Sequence, residues 1–139
     1  MKTIYLFSFI ALVIVAGCVG QSGTNNTSNA GEVKFSTFKE AYDSNLQLRC
    51  ESGSSAATTV FYFAEGNVRV ESSAAGNFVY QVITKDDNYY SWSSNQQGAT
   101  SLQGDTAIRA RNALYPIPFT SITCNQQSVS ASMFQPPSQ

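Results

Sequence analysis

The cysteines are the side chains of this sequence with the most distinctive chemistry. The 139-residue chain contains Cys18, Cys50 and Cys124, and it contains no histidine. A Ser-His-Asp triad, a Cys-His pair and a His-ligated metal site are therefore excluded within this sequence, because each of them needs an imidazole. The eight basic and nine acidic residues give a formal charge of −1. This charge does not provide the basic surface that nucleic-acid binding normally needs.

Cys18 follows a segment typical of exported proteins. Lys2 precedes an apolar run over residues 4–16, which as a helix is about 20 Å long and shorter than the ~30 Å hydrocarbon core of a bilayer. That length favours a signal peptide over a spanning helix. The run ends in the sequence VAGC, which resembles a lipobox. We expect residues 1–17 to be a signal peptide and Cys18 to carry a lipid. Ordinary secretion and an uncleaved membrane anchor are the alternatives.

Residues 18–31 form a polar segment between the anchor and the rest of the chain. After Cys18 they read VGQSGTNNTSNAG, without a charge and with almost no apolar side chain. Such a segment cannot bury enough surface to offset its ordering entropy, so we expect a flexible tether. Asn25 and Asn26 begin overlapping N-glycosylation sequons. A tether rich in Asn and Thr also produces such sequons by chance.

Cys50 and Cys124 remain as an even pair once Cys18 is assigned to lipid. In an oxidising compartment such a pair favours a disulfide. Two free buried thiols are the alternative. A redox-active pair is disfavoured because there is no CxxC motif, and a metal site is disfavoured because two cysteines do not fill a tetrahedral shell.

Residues 32–139 are predicted to fold as one α+β domain that is built on an antiparallel β-meander. The Thr-Phe-Lys-Glu sequence at 37–40 has the form of a capping box and predicts a helix over 38–45. Short apolar segments separated by turn residues predict consecutive antiparallel strands. Asp105 is expected to cap a second helix that prolines 116 and 118 end. The predicted strands span residues 47–51, 58–64, 68–73, 78–84, 89–93, 99–103 and 120–124.

The central strands carry apolar side chains on both faces. Val60, Tyr62 and Ala64 alternate with Phe61 and Phe63 along one strand, whereas a half-exposed strand alternates apolar with polar residues. Both faces of the sheet therefore need cover. One helix layer covers one face. The other face could be covered by the second helix and the tail around Phe134, by an apolar ligand, or by a protein partner.

Several short motifs follow one another along the chain. Cys50 lies in a predicted early strand, and Val-Arg-Val-Glu follows Gly66. Asn-Tyr-Tyr-Ser-Trp-Ser begins at residue 88, and a late Cys124 precedes Met-Phe-Gln-Pro at 133–136. This order resembles that of small exported lipoproteins with a fold like the carrier LolA and its receptor LolB. The resemblance implies an open antiparallel half-barrel with helices packed in its concavity, and it implies that acyl chains bind in the hollow.

These observations predict a membrane-anchored lipoprotein on the outer side of the cytoplasmic membrane, which binds a lipid or another apolar ligand without catalysis. No cofactor or metal is expected, and no two acidic residues have a spacing that predicts contact. The alternative is a structural or protein-interaction subunit of an envelope assembly. The candidate ligand-binding residues are Phe61, Phe63, Tyr80, Tyr90 and Trp92.

Overall fold

A computed structural model describes residues 31–137 of the chain. The predicted signal peptide, Cys18, and the sequons at Asn25 and Asn26 lie outside the described residues, as does the tether except for Gly31. The described chain contains an open antiparallel sheet and two α-helices, which confirms an α+β fold.

The elements follow one another with short connections, so that most neighbours in sequence are also neighbours in space. A 3₁₀ turn, Ala131–Phe134, follows the last strand. The strands and helices are β1 (Glu32–Val33), α1 (Phe38–Asp43), β2 (Leu48–Gly53), β3 (Ala57–Ala64), β4 (Asn67–Ala74), β5 (Asn77–Ile83), β6 (Asn88–Ser93), β7 (Thr100–Gln103), α2 (Asp105–Leu114) and β8 (Thr123–Gln126).

The sheet has the strand order β1-β8-β2-β3-β4-β5-β6-β7, and every pair is antiparallel. The run β2 to β7 is a meander, as the sequence predicts. The last strand, β8, returns to insert between β1 and β2. The two edge strands are not paired with each other in the described chain, so the sheet is not closed.

Two hairpins are set by left-handed turn residues. Glu65 and Gly66 both have positive φ angles, of 52° and 78°, between β3 and β4. Ala75 and Gly76 repeat this pattern between β4 and β5, with 49° and 80°. Two successive positive φ angles match the right-handed twist of the flanking strands, which fixes the register of both hairpins.

The helix α1 begins where the sequence predicts. The Thr37 hydroxyl accepts a hydrogen bond from the backbone N–H of Glu40 at 3.3 Å, and the Glu40 carboxylate accepts one from the N–H of Ser36 at 2.7 Å. The first bond satisfies an amide that lacks a partner at the helix start, and the second ties the Glu40 side chain back to the residue before the cap. The helix ends at Asp43, two residues earlier than predicted, because Asn45 has a left-handed φ of 55°.

The start of α2 differs from the prediction. Gly104, with φ 62°, occupies the capping position and no side chain caps the helix. Asp105 is instead the first helical residue, so the prediction that it caps α2 is wrong. Its carboxylate still lies in the first turn, where negative charge stabilises a helix. The late strand spans Thr123–Gln126 rather than 120–124, and β1 was not predicted.

The two faces of the sheet are covered by different parts of the chain. We call them the helix face, against which α1 packs, and the tail face, against which the C-terminal segment packs. The helix face carries Leu48, Cys50, Phe61, Phe63, Val68 and Val70. The tail face carries Tyr62, Arg69, Tyr80, Val82, Tyr90 and Trp92.

The larger core lies on the helix face and is built on aromatic rings. The Phe38 ring from α1 lies 5.3 Å from that of Phe63 and 5.9 Å from that of Phe119, measured between centroids. Phe61 lies 5.1 Å from Phe119 in the same way. All four rings are almost fully buried. Such close aromatic pairs stabilise the core beyond the contribution of the apolar area that they bury.

The smaller core lies on the tail face and depends on the end of the chain. Val129 and Phe134 are 8% and 6% exposed, and they pack with Ala64 and Val82. The backbone N–H of Val129 donates to the Gln47 side-chain carbonyl at 2.9 Å. The C-terminal segment is therefore part of the fold.

The predicted disulfide is confirmed, and it joins β2 to β8. Cys50 and Cys124 are directly opposite in the strand register, both are fully buried, and 74 positions separate them in sequence. A crosslink over this separation restricts the unfolded chain strongly.

We expect the double variant Cys50→Ala/Cys124→Ala to be less stable by about 4 kcal/mol, the loop-entropy contribution of so long a loop. Urea unfolding of the two proteins measures the difference. If the two proteins had the same urea midpoint and the same dependence of the unfolding free energy on urea, the disulfide would not be stabilising.

Candidate functional site

A groove of about 410 Å³ opens on the helix face of the sheet. Its floor is formed by β2, β3, β4 and β5, and its wall by the end of α2 and the connection that leads to β8. This volume lies within the range of small-molecule sites, about 300–1,000 Å³. The lining residues are Ser52, Thr59, Phe61, Val70, Ser72, Gln81, Leu114, Ile117, Pro118, Ser121 and Ile122.

The wall of the groove is held in place by backbone hydrogen bonds. The N–H of Ile117 donates to the Leu114 carbonyl at 3.0 Å, and the N–H of Ile122 donates to the Phe119 carbonyl at 3.0 Å. The carbonyl of Ile117 accepts from the N–H of Phe38 at 2.9 Å, which ties the wall to α1. The proline at 118 adds rigidity because its φ is fixed.

A second cavity of about 410 Å³ lies beside the first. It is lined by β1, by the residues that follow β1, and by the segment 119–123. Ser121 and Ile122 line both cavities and thus separate them. Unlike the groove, this cavity has charged residues in its lining. They are Glu32 and Lys34, whose carboxylate oxygen and ammonium nitrogen are 3.8 Å apart.

Two of the five predicted ligand-binding residues lie on the helix face. Phe61 lines the groove and is 4% exposed, so its ring contributes part of the floor. Phe63 is 2% exposed and packs against Phe38 in the core, and it does not line the groove.

The other three predicted residues, Tyr80, Tyr90 and Trp92, lie on the tail face. They are half-buried. The Tyr80 and Trp92 rings are stacked with centroids 5.3 Å apart, as expected for residues directly opposite on adjacent strands. The five residues therefore do not line one cavity, and a ligand in the groove can contact Phe61 but not these three.

Arg69 connects the tail face to the C-terminal segment. Its guanidinium lies over the Tyr80 and Trp92 rings, 5.1 and 5.5 Å from their centroids. It pairs with Glu71 at 2.7 Å and donates to the Met133 carbonyl at 2.8 Å. The Arg69 side chain is 16% exposed. The arrangement combines an ion pair with a cation–π contact and a charge-assisted hydrogen bond.

Arg111 also joins two distant parts of the chain, on the helix face of the sheet. Its guanidinium donates to the Asp87 carboxylate at 2.9 Å and so ties α2 to the turn between β5 and β6. Burial alone lowers the pKa of Arg111, but the phenol oxygens of Tyr42 and Tyr115 and the Asp87 carboxylate outweigh it. The pKa therefore lies above its ordinary value, and the guanidinium stays charged.

Among residues 31–137, no three Cys, Asp or Glu side chains come together as a metal site would require. No helix in the same range has the length and apolar character to cross a membrane. A scan of protein-family models and searches of curated proteins and of solved structures returned no match to this chain.

The wall of the groove is not among the elements predicted from the sequence. Leu114, Ile117 and Ile122 lie more than 30 positions after the last floor residue, Gln81, and their contact with the sheet depends on where β8 pairs. The apolar residues on either side of the two prolines are the signal in the sequence that could have indicated a packed connection.

We expect Arg69→Ala to destabilise the protein by about 2 kcal/mol, because it removes a charge-assisted hydrogen bond to the tail. Hydrogen exchange should accelerate at the amides of residues 129–134. Arg49→Ala is the matched control: Arg49 also lies on the tail face, but it pairs with Glu51 at a more exposed site, so its loss should cost less than about 1 kcal/mol. Equal effects of the two substitutions would contradict the role of Arg69.

Proposed function

We propose that this protein is a lipid-anchored, extracytoplasmic binding protein whose helix-face groove takes up a lipid or another apolar ligand. The observation that carries the proposal is the groove itself, which lies between an aromatic sheet floor and an apolar wall. Six of its lining residues are apolar. Binding of an apolar ligand at such a surface is favourable, because it removes apolar area of the ligand and of the groove from water.

The half-barrel described for LolA-like carriers is the finer architecture that we propose for this sheet. An eight-stranded antiparallel sheet that stays open, with α1 on one face, supports it. In such an architecture the helix face is the inner surface. The ligand would then lie between the strands and the α2–β8 connection, with Phe61 against its apolar part.

The N-terminal sequence supports the proposed anchor and location. A short apolar run before VAGC is consistent with export and lipidation at Cys18 on the outer side of the cytoplasmic membrane. The buried disulfide supports an oxidising compartment, because cytosolic thiols are usually kept reduced. We propose a binding role without catalysis.

The second candidate function is an interaction subunit of an envelope assembly. It is favoured by the exposure of large apolar side chains at the β5–β7 end of the sheet. These are Phe78, Val79 and Leu102, at 42%, 41% and 38%. The edge strand β7 carries no charge that would oppose pairing with another strand.

Ligand binding in the groove can be tested by placing a bulky side chain on the groove floor. Ser72 lines the groove, whereas Ser73, its neighbour in β4, lies on the opposite face. Ser72→Phe should lower the fraction of protein that carries a lipid by about tenfold, equivalent to about 1.4 kcal/mol of binding energy. Ser73→Phe should retain it. Native mass spectrometry of the full chain, purified from membranes, measures the adduct and its release by denaturing solvent.

Three results would contradict ligand binding in the groove. They are the absence of any adduct on the wild-type protein, an equal loss in both variants, and an adduct that survives Ser72→Phe unchanged. A dimer or a co-purified chain without lipid would favour the interaction subunit instead.

Lipidation is tested separately at Cys18. We expect Cys18→Ser to abolish the lipid mass on the N-terminal peptide and to release the protein from the membrane fraction, because the acyl chains supply the anchor. Cys50→Ala/Cys124→Ala is the control, since it removes two cysteines and leaves the lipobox intact. Membrane retention of Cys18→Ser without lipid would indicate an uncleaved anchor.

A further inference from the structure

The helix face of the sheet changes from apolar to hydroxyl-bearing along the strands, and the groove lies over the part of this face that carries Phe61, Val70 and the hydroxyl groups. The strand register arranges the helix face in rows that cross β2 to β5. The row nearest the β3–β4 turn is wholly apolar: Leu48, Phe63, Val68 and Ile83. The middle row is Cys50, Phe61, Val70 and Gln81. The row at the far end is Ser52, Thr59, Ser72 and Val79.

The polar side chains of this floor face the groove without a partner in the described part of the chain. Within residues 31–137, the side chains of Ser52, Thr59, Ser72 and Gln81 make no hydrogen bond to another side chain or to the backbone. They are half-buried, and all four line the groove. A half-buried hydroxyl or amide gains when a ligand supplies a partner.

None of the eleven lining residues is charged. The ion pairs nearest in sequence, Arg49–Glu51 and Arg69–Glu71, belong to the tail face. A carboxylate, phosphate or ammonium group entering the groove would lose hydration without meeting an opposite charge, and this cost is far larger than that for a hydroxyl. The lining therefore favours an uncharged ligand group over a charged one.

From this pattern we infer that the ligand is a lipid with an uncharged, hydroxyl- or ester-bearing head, of the monoacylglycerol type. The inference rests on the proposed function and specifies its ligand class. The acyl chain lies against Phe61, Val70 and the apolar wall. The head lies over the row of Ser52, Thr59 and Ser72, which donates to ester oxygens and accepts from hydroxyls.

The test uses three photoactivatable lipids with the same diazirine-bearing chain: a glycerol ester, a permanently anionic sulfonate and a trimethylammonium compound. The full chain is reconstituted into phosphatidylcholine vesicles with each probe. Crosslinked peptides are mapped and normalised to the probe that the vesicles contain. We expect peptides containing Phe61 or residues 114–122 to be labelled about tenfold more by the glycerol ester than by either charged probe.

A charge placed in the hydroxyl row should change this preference. Ser72→Lys supplies a partner for the sulfonate and should raise its labelling of the groove while lowering that of the ammonium probe. Ser73→Lys adds the same charge on the tail face and should leave the ratios unchanged. Gln81→Lys provides a second lysine in the groove if Ser72→Lys fails to fold.

The outcomes separate the two proposals. Equal labelling of the groove by all three probes would overturn the neutral-head inference and leave lipid binding in place. Preference for a charged probe in the wild-type protein would do the same. No labelling of the groove by any probe would overturn the proposed function itself.

Discussion

The position of β8, fixed by the Cys50–Cys124 disulfide, determines how the rest of the chain is arranged. The strand lies between β1 and β2, far in sequence from both. The residues before it cross the helix face, where Phe119 enters the aromatic core. The residues after it cross the tail face, where Phe134 packs with Val82. One strand therefore directs its two flanking segments to opposite faces, and it forms the groove and closes the smaller core at the same time.

Much of the sheet could be predicted from the sequence because its signals are local. Turn residues such as Gly66 and Gly76 lie between segments of strand-forming residues, and the observed strands match the predictions to within two residues for β2 to β7. The disulfide also followed from counting cysteines. The first strand could not be predicted, because two residues carry no periodicity and β1 exists only through pairing with β8.

The candidate site was less predictable, since it depends on which segment of the chain packs against each face of the sheet. Phe61 and Trp92 both looked suitable for an apolar ligand, but alternation alone cannot distinguish two apolar faces. The Arg69–Glu71 ion pair is largely enclosed, because Trp92 and Met133 approach it from distant parts of the chain. No local pattern contains such contacts.

The disulfide has a mechanical consequence when the chain is pulled from its two ends. A pull between Gly31 and the C-terminal segment passes from Cys50 directly to Cys124 through the covalent bond. The chain between these cysteines, which contains β3 to β7 and α2, therefore never comes under tension. This part of the chain, with a contour length of roughly 250 Å, therefore does not lengthen when the molecule is pulled. Under load, the molecule would lose β1, α1 and the tail first, while the meander that forms most of the groove floor stays relaxed.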